Sequence, residues 1–277
     1  MLTSSEPMVG LSPGCAPQIG ILGPLEVHPA GCFERGVSVG GIRIRALLGA
    51  LTARLGKVMT TEHILKEVWA ESQPSTERKA VAVAVLRLRR VLGDSEGRWL
   101  LTRPSGYVLD IPADHLDSVR AERLVWEGKD ALAANRPRLA SRCLTRALAH
   151  WRGDPYADAG TSSAVVQHVT ELESLRSEAV QARIDADLAL GQHRELLGEL
   201  RSLTTANPLH EPHWLQLMLA LYRSGKQAEA LAAYMSLRQT LAENMGVDPG
   251  QPLQELYLRI LRVDAALLSG PAPTLSR

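Results

Sequence analysis

Arginine and lysine, crowded into one short span, are the residues of this sequence with the clearest chemistry. Between Thr76 and Arg103 stand seven cations, Arg78, Lys79, Arg87, Arg89, Arg90, Arg98 and Arg103, against three carboxylates, Glu77, Asp94 and Glu96. A guanidinium pairs bidentately with phosphate oxygens or with the O6/N7 edge of guanine, so this excess fits a negatively charged partner such as nucleic acid. The plainer alternative is a solvated helix face, because cations near a helix C-terminus suit the macrodipole with no partner at all. Other chemistries lack a carrier. HEPH at 210–213 holds two histidines, but Pro212 and the spacing break the HExxH zinc pattern. There is no GxxxxGK[ST] phosphate loop. Cys15, Cys32 and Cys143 are odd in number and scattered, which fits free thiols in a reducing cytoplasm. The expectation is therefore no enzyme, no metal and no cofactor.

The cations have to be positioned by local elements. Gln18 to His28 alternates and is rich in Ile, Leu and Val, which predicts a strand broken by a turn at Gly23-Pro24; 36–41 predicts a second short strand. Arg43 to Leu55 has helical spacing, with Leu47, Leu48, Leu51 and Leu55 on one side and Gly56 as its stop. A second helix follows Thr60, a plausible N-cap, and runs to Trp69. After Gln73-Pro74-Ser75 a third helix is capped by Ser75 or Thr76 and ended by Gly93. Two β-rich runs, 98–102 and 107–111, are joined by Arg103-Pro104-Ser105-Gly106 as a hairpin. Strands, three helices and a hairpin describe a winged helix-turn-helix.

Stepping about 100° per residue along the third helix gathers Val81, Val85, Leu88 and Leu92 into a core stripe. Thr76, Lys79, Val83, Arg87 and Arg90 fall on the opposite face, where a recognition helix meets the major groove. Arg78 and Arg89 lie at the stripe's edge, and Arg89 is expected to fold back onto an acidic neighbour. Arg78 and Lys79, with Thr76, stand at the helix start, suited to base edges. Arg103 and Ser105 sit at the hairpin tip, where Arg103 suits the minor groove or a phosphate. Arg43, Arg45 and Lys57 are expected to touch phosphate, which positions a protein without reading sequence. Trp69 and Trp99 are expected to pack rather than stack on bases.

The chain has 277 residues, a net charge of +1 and a single phenylalanine, Phe33. That length suits about two domains, and the Ala- and Leu-rich composition favours helix. No apolar run is long enough to span a membrane. The near-neutral total conceals an asymmetry, +3 over 1–112 and −2 over 113–277. After Pro112 nearly everything reads as amphipathic helix. ALGQHRELLGEL at 189–200 realigns with RSGKQAEALAAY at 223–234, pairing Gly191 with Gly225 at the 34-residue tetratricopeptide period. A fainter echo occupies 133–148. The expected fold is mainly α: a disordered tail over 1–17, an α+β winged helix over 18–112, an all-α tetratricopeptide-like domain over 113–265 and a flexible tail over 266–277.

LGPLEV (22–27), VLRLRRVLG (85–93) and LLTRPSGYVLDI (100–111) resemble the N-terminal domain of the Streptomyces antibiotic regulatory proteins. ALAHWRGDPYAD (147–158) and LAENMGVDPGQPLQELYLRIL (241–261) resemble that family's bacterial transcriptional activator domain. The resemblance covers roughly 18–265 and implies an OmpR-type winged helix joined to a helical domain. It further implies an activator of an antibiotic biosynthetic cluster that binds direct repeats near the −35 element. Implied partners are double-stranded promoter DNA, a second protomer as a homodimer or side-by-side pair, and RNA polymerase holoenzyme through its sigma factor and other subunits. The implied location is the cytoplasm, at the nucleoid. One departure stands out: where the family often carries polar residues on the third helix, this chain has Ala82, Ala84 and Leu86. Base reading from mid-helix is then expected to rest on the helix start, on thymine methyl groups and on DNA shape. A scaffold that binds protein, or a small-molecule sensor, with a winged helix that does not bind DNA, is the competing expectation.

Overall fold

The computed structural model describes residues 16–29, 37–69 and 77–268. Thr76, Ser75, the connector before them, Cys15, Cys32, Phe33 and most of both expected tails lie outside the described residues. By compactness the chain forms two units, Met1–Arg123 with Ala147–Arg176, and Leu124–Arg146 with Ser177–Arg277. The first unit thus runs past Pro112 and takes in a stretch of chain from further on.

Its N-terminal sheet has three antiparallel strands, β1 (Gln18–Gly20), β2 (Glu26–His28) and β3 (Val37–Ser38), in that order. Ile19, Ile21, Leu22, Leu25 and Val27 are buried along it. Helix α1 (Ile42–Thr52) buries Leu47, Leu48 and Leu51, but it ends three residues before Leu55. The reason is that the Gly56 N–H donates to the Leu109 carbonyl at 3.0 Å, with Gly56 at φ +71°. This tertiary bond pulls the turn out of helical register.

Strand β4 (Met59–Thr60), invisible in the sequence pattern, pairs with β6 (Gly106–Leu109), which pairs in turn with β5 (Leu100–Arg103). Glycine is required at 106, because a Cβ there would stand 1.9 Å from the Met59 carbonyl oxygen. Helix α2 (Thr61–Trp69) is capped as its sequence implies, the His63 N–H donating to Thr60 Oγ1 at 3.1 Å. Helix α3 (Glu77–Leu92) stops at Gly93, φ +70°, where the Asp94 N–H donates to the Arg89 carbonyl at 2.8 Å. The buried Asp94 carboxylate then accepts the N–H groups of Arg98, Trp99 and Leu100 at 2.6, 3.1 and 2.8 Å. That one side chain sets the angle at which the hairpin leaves α3.

The segments 113–123 and 147–176 close the first unit through polar bonds to the sheet. Asp117, at the start of α4 (Asp117–Ala133), accepts the N–H groups of Ile21 and Leu22 at 2.8 and 3.1 Å. Asp158 accepts the Leu25 N–H at 2.8 Å, and the N–H groups of Arg152 and Tyr156 donate to the Leu22 and Ile21 carbonyls. Gly49 lets α1 approach this segment, since a Cβ there would meet the Ala159 Cβ at 2.8 Å.

The second unit is helical: the rest of α4, most of α5 (Pro137–Leu148), the C-terminal half of α6 (Ser163–Ala189), α7 (Leu197–Ala206), α8 (Glu211–Arg223), α9 (Gln227–Met245) and α10 (Gln251–Leu261). Leu188, Leu200, Met218, Leu219, Leu237, Leu253 and Ile260 are among its buried core residues. The 34-residue repeat has a geometric counterpart. Gly191 and Gly225 both sit at positive φ, 84° and 80°. The next N–H reaches five residues back in each case, Gln192 to Asp187 at 3.1 Å and Lys226 to Leu221 at 2.9 Å, the same helix-ending turn. Asn135, φ 54°, does the same after α4, which accounts for the fainter echo at 133–148. The HEPH stretch opens α8: buried His213 faces Gln216, whose amide donates to Asp185 Oδ1 at 2.8 Å. Cys143 is a buried free thiol. Among the described residues no helix is long and apolar enough to cross a membrane.

Candidate nucleic-acid interface

The periodicity of α3 sorts its cations as the sequence implies. Val81, Val85, Leu88 and Leu92 are buried at 2% exposure or less, with Ala84 beside them, so the opposite face is turned outward. Lys79, Ala82, Val83, Leu86, Arg87 and Arg90 are all exposed, Val83 and Leu86 by about half. No carboxylate among the described residues forms an ion pair with Arg78, Lys79, Arg87, Arg90 or Arg103. The outer face is therefore an apolar ridge bordered by uncompensated positive charge.

Two grooves flank this ridge. One, of about 550 Å³, is lined by the start of α1 (Gly41 to Ile44), by Trp69, and by Lys79, Val83 and Arg87. Arg43 stands over the Trp69 ring, 5.7 Å from its centroid, which fixes that guanidinium at the groove mouth. The first turn of α1 carries no acidic residue and no side-chain cap, so its open N–H groups add positive potential there. The second groove, of about 520 Å³, lies between α2, α3 and the wing. Thr60, Thr61, Arg78, Thr102, Arg103 and Ser105 line it together with Glu62, a hydroxyl-rich wall with two guanidinium groups and one carboxylate. Its threonines escaped the sequence reading: Thr60 was legible as a cap, but the β4–β6 pairing that brings it beside Arg103 was not.

The remaining predicted residues go elsewhere. Arg45 is turned inward, donating Nε to the Asp158 carbonyl at 3.0 Å and Nη1 to the Val39 carbonyl at 3.1 Å. Its guanidinium ties α1 to two loops, which removes it from the outer face. Lys57 is exposed but lines a separate cleft of about 340 Å³ with Arg54, Gln167, His168 and Glu171. Arg89 does fold back, but onto the hairpin rather than an acidic side chain: Nε and Nη2 donate to the Leu100 carbonyl at 3.0 and 2.6 Å, and Nη2 to Thr102 Oγ1 at 3.0 Å. A carbonyl left open where β5 begins is a partner that no charge pattern announces. Arg98 pairs with Glu96 at 2.6 Å. Thr76 lies outside the described residues. Trp69 is buried and Trp99 packs against the core, as packing residues do.

Comparisons with known proteins accord with this arrangement. Residues 42–109 match the family model described as transcriptional regulatory protein, C terminal, and residues 116–261 match the bacterial transcriptional activator domain. Regulatory protein DnrI of Streptomyces peucetius is 36% identical over 260 residues, 90% of this chain and 94% of that protein. Regulatory protein AfsR of Streptomyces coelicolor is 39% identical over 258 residues, 93% of this chain but 25% of that longer protein. Among solved structures, Mycobacterium tuberculosis EmbR in complex with a low-affinity phosphopeptide aligns with a TM-score of 0.81 at 34% identity. That match covers 90% of this chain and 65% of EmbR.

Proposed function

The chain belongs to the Streptomyces antibiotic regulatory protein family of transcriptional regulators, and from that premise we propose that it activates a secondary-metabolite gene cluster by binding promoter DNA in a sequence-specific way. The observation that carries this reading is the outer face of α3 and the wing, where five cations have no carboxylate partner among the described residues. In the proposed complex α3 lies in the major groove. Lys79, Arg87 and Arg90 face base edges or phosphates there, and Val83 and Leu86 face thymine methyl groups. Arg43 in one groove and Arg78, Arg103 and Ser105 in the other hold the two backbones, which positions the ridge between them. Thr76 belongs to the proposed contact set, and Lys57 is at most an accessory to it.

The family resemblance supports the finer steps. Two protomers bind direct repeats near the −35 element, side by side, and recruit RNA polymerase through its sigma factor and other subunits, in the cytoplasm at the nucleoid. A gel-shift titration of the full chain on promoters of its neighbouring biosynthetic genes tests the core of the reading. The expected result is a shift at low salt that weakens steeply between about 50 and 200 mM, as counterion release demands. No shift at low salt would favour a protein-binding scaffold instead.

A further inference from the structure

Helix α5 arranges charge in a way that works against its own stability. Ala140, Cys143, Leu144 and Ala147 form its buried stripe. Arg138, Arg142 and Arg146 follow one another at i, i+4 and i+8 on the opposite face, all exposed, with Arg136 exposed just ahead of the helix. Like charges four residues apart repel. Arg138 also lies in the first turn, the positive end of the macrodipole, and no acidic residue stands in that turn to offset it. None of these four guanidinium groups has an ion pair or side-chain hydrogen bond among the described residues. Elsewhere in the same unit, Arg183 is met by Asp187, Arg201 by Glu229, Arg238 by Asp248 and Arg259 by Asp264, while the exposed Arg194 and Arg262, isolated rather than in a row, have no ion pair among the described residues.

We propose that this stripe is a second nucleic-acid contact, gripping the sugar–phosphate backbone without reading sequence; it rests on the DNA-binding function proposed above. Three observations favour phosphate over an acidic protein. The patch is made of arginine, whose planar fork fits phosphate oxygens bidentately. Successive arginines rise about 6 Å along the helix, so three of them follow a run of backbone charges rather than one point charge. The patch also lacks the aromatic anchors that protein interfaces concentrate, Leu139 being the one large apolar side chain exposed on α5.

The test uses the full chain and two duplexes of equal length, one enriched from a random library by the wild-type protein and one of unrelated sequence. Binding is measured across about 50 to 200 mM salt for three proteins. These are wild type, the triple variant Arg138→Gln, Arg142→Gln, Arg146→Gln, and a control triple variant Arg201→Gln, Arg238→Gln, Arg259→Gln with the same loss of charge. The α5 variant is expected to lower the slope of log K against log salt by about 2.7 on both duplexes, about 0.9 for each of three phosphates, while the control barely moves it. Its melting temperature should equal or exceed that of the wild type, because repulsion is relieved. An α5 slope equal to that of the control overturns the proposal. An α5 variant that binds DNA normally but no longer stimulates transcription overturns it in favour of a protein partner. Failure of the wild type to enrich any duplex removes the DNA-binding reading itself, and this inference with it.

Discussion

On α3 and the wing, Arg78, Arg87, Arg90 and Arg103 stand exposed with no carboxylate ion-paired to them among the described residues; in the helical unit, several arginines of similar exposure are paired. Arg201, Arg238 and Arg259 each meet an acid at 2.7 to 2.9 Å, whereas Arg87, Arg90 and Arg103 meet none among the described residues. A count of charges separates these regions only coarsely, +3 over 1–112 against −2 over 113–277. Pairing sharpens the difference, because a cation already matched to a carboxylate has little field left to offer a phosphate. The contrast teaches that charge on this molecule is of two kinds, one spent on its own fold and one left open, with α5 as the helix of the helical unit where open arginines stand in a row.

Four substitutions probe that contrast, in descending order of effect. Asp94→Ala should cost about 3 kcal/mol of stability, since three N–H groups in the turn lose their acceptor. Chemical denaturation measures this, and promoter affinity should fall too, although Asp94 is buried and touches no DNA; a loss under about 1 kcal/mol would mean that the hairpin is oriented by something else. Arg87→Ala should reverse the pattern, lowering promoter affinity by about ten- to a hundredfold while moving stability by no more than about 0.5 kcal/mol. Unchanged affinity in a gel-shift titration would remove Arg87 from the binding face.

Asp185→Asn separates burial from pairing. Burial pushes the Asp185 carboxyl up to about 6, against the hydrogen bond from Gln216. An acid whose pKa is raised in the fold stabilises most when protonated. That contribution is present below about pH 4, where the unfolded chain also protonates, and is lost as pH rises through about 6. The asparagine variant should therefore gain on the wild type by on the order of 1 kcal/mol above pH 7, and the gain should vanish near pH 4. Burial holds His210 and His213 below the usual imidazole range, so their contribution runs the opposite way with pH in both proteins and cancels in the difference. Thermal melts at pH 4.5 and 8 check it, and an equal difference at both would show that the carboxyl is not perturbed. Arg238→Ala, at an exposed pair, should be nearly silent, with less than about 0.5 kcal/mol in stability and no change in DNA affinity; a tenfold loss of affinity would erase the distinction between the two kinds of arginine.

Much of the exposed face of α3 was legible because helical periodicity is local. Val81, Val85, Leu88 and Leu92 predicted one another, and Lys79, Arg87 and Arg90 followed on the other side. The helix-ending turn at Gly93 was legible for the same reason, and so was the pairing of Gly191 with Gly225, whose turns are closed by bonds that reach back no more than five residues. What escaped is what depends on distant chain. Arg45 and Arg89 look like their neighbours in sequence, yet each is claimed by carbonyl groups, in part from another element. Thr60 joins the wing only because β4 pairs with β6.

The sequence by itself determined that three helices lead into a hairpin and which face of α3 is apolar, because those follow from side chains within a turn or two of each other, whereas the end of α1 waits on the bond from Gly56 to the Leu109 carbonyl. Tertiary structure decided which cations are withdrawn, Arg45 and Arg89, and where the first compact unit ends. The family models divide the chain between residues 109 and 116, but the compact unit also takes in 147–176. It does so because buried carboxylates and carbonyls find their donors across long stretches of chain, as Asp117 finds the N–H of Ile21 from 96 positions away. No pattern in either stretch announces such a bond; it exists because an N–H group taken out of water must be met by some acceptor, and the fold brings that one within reach.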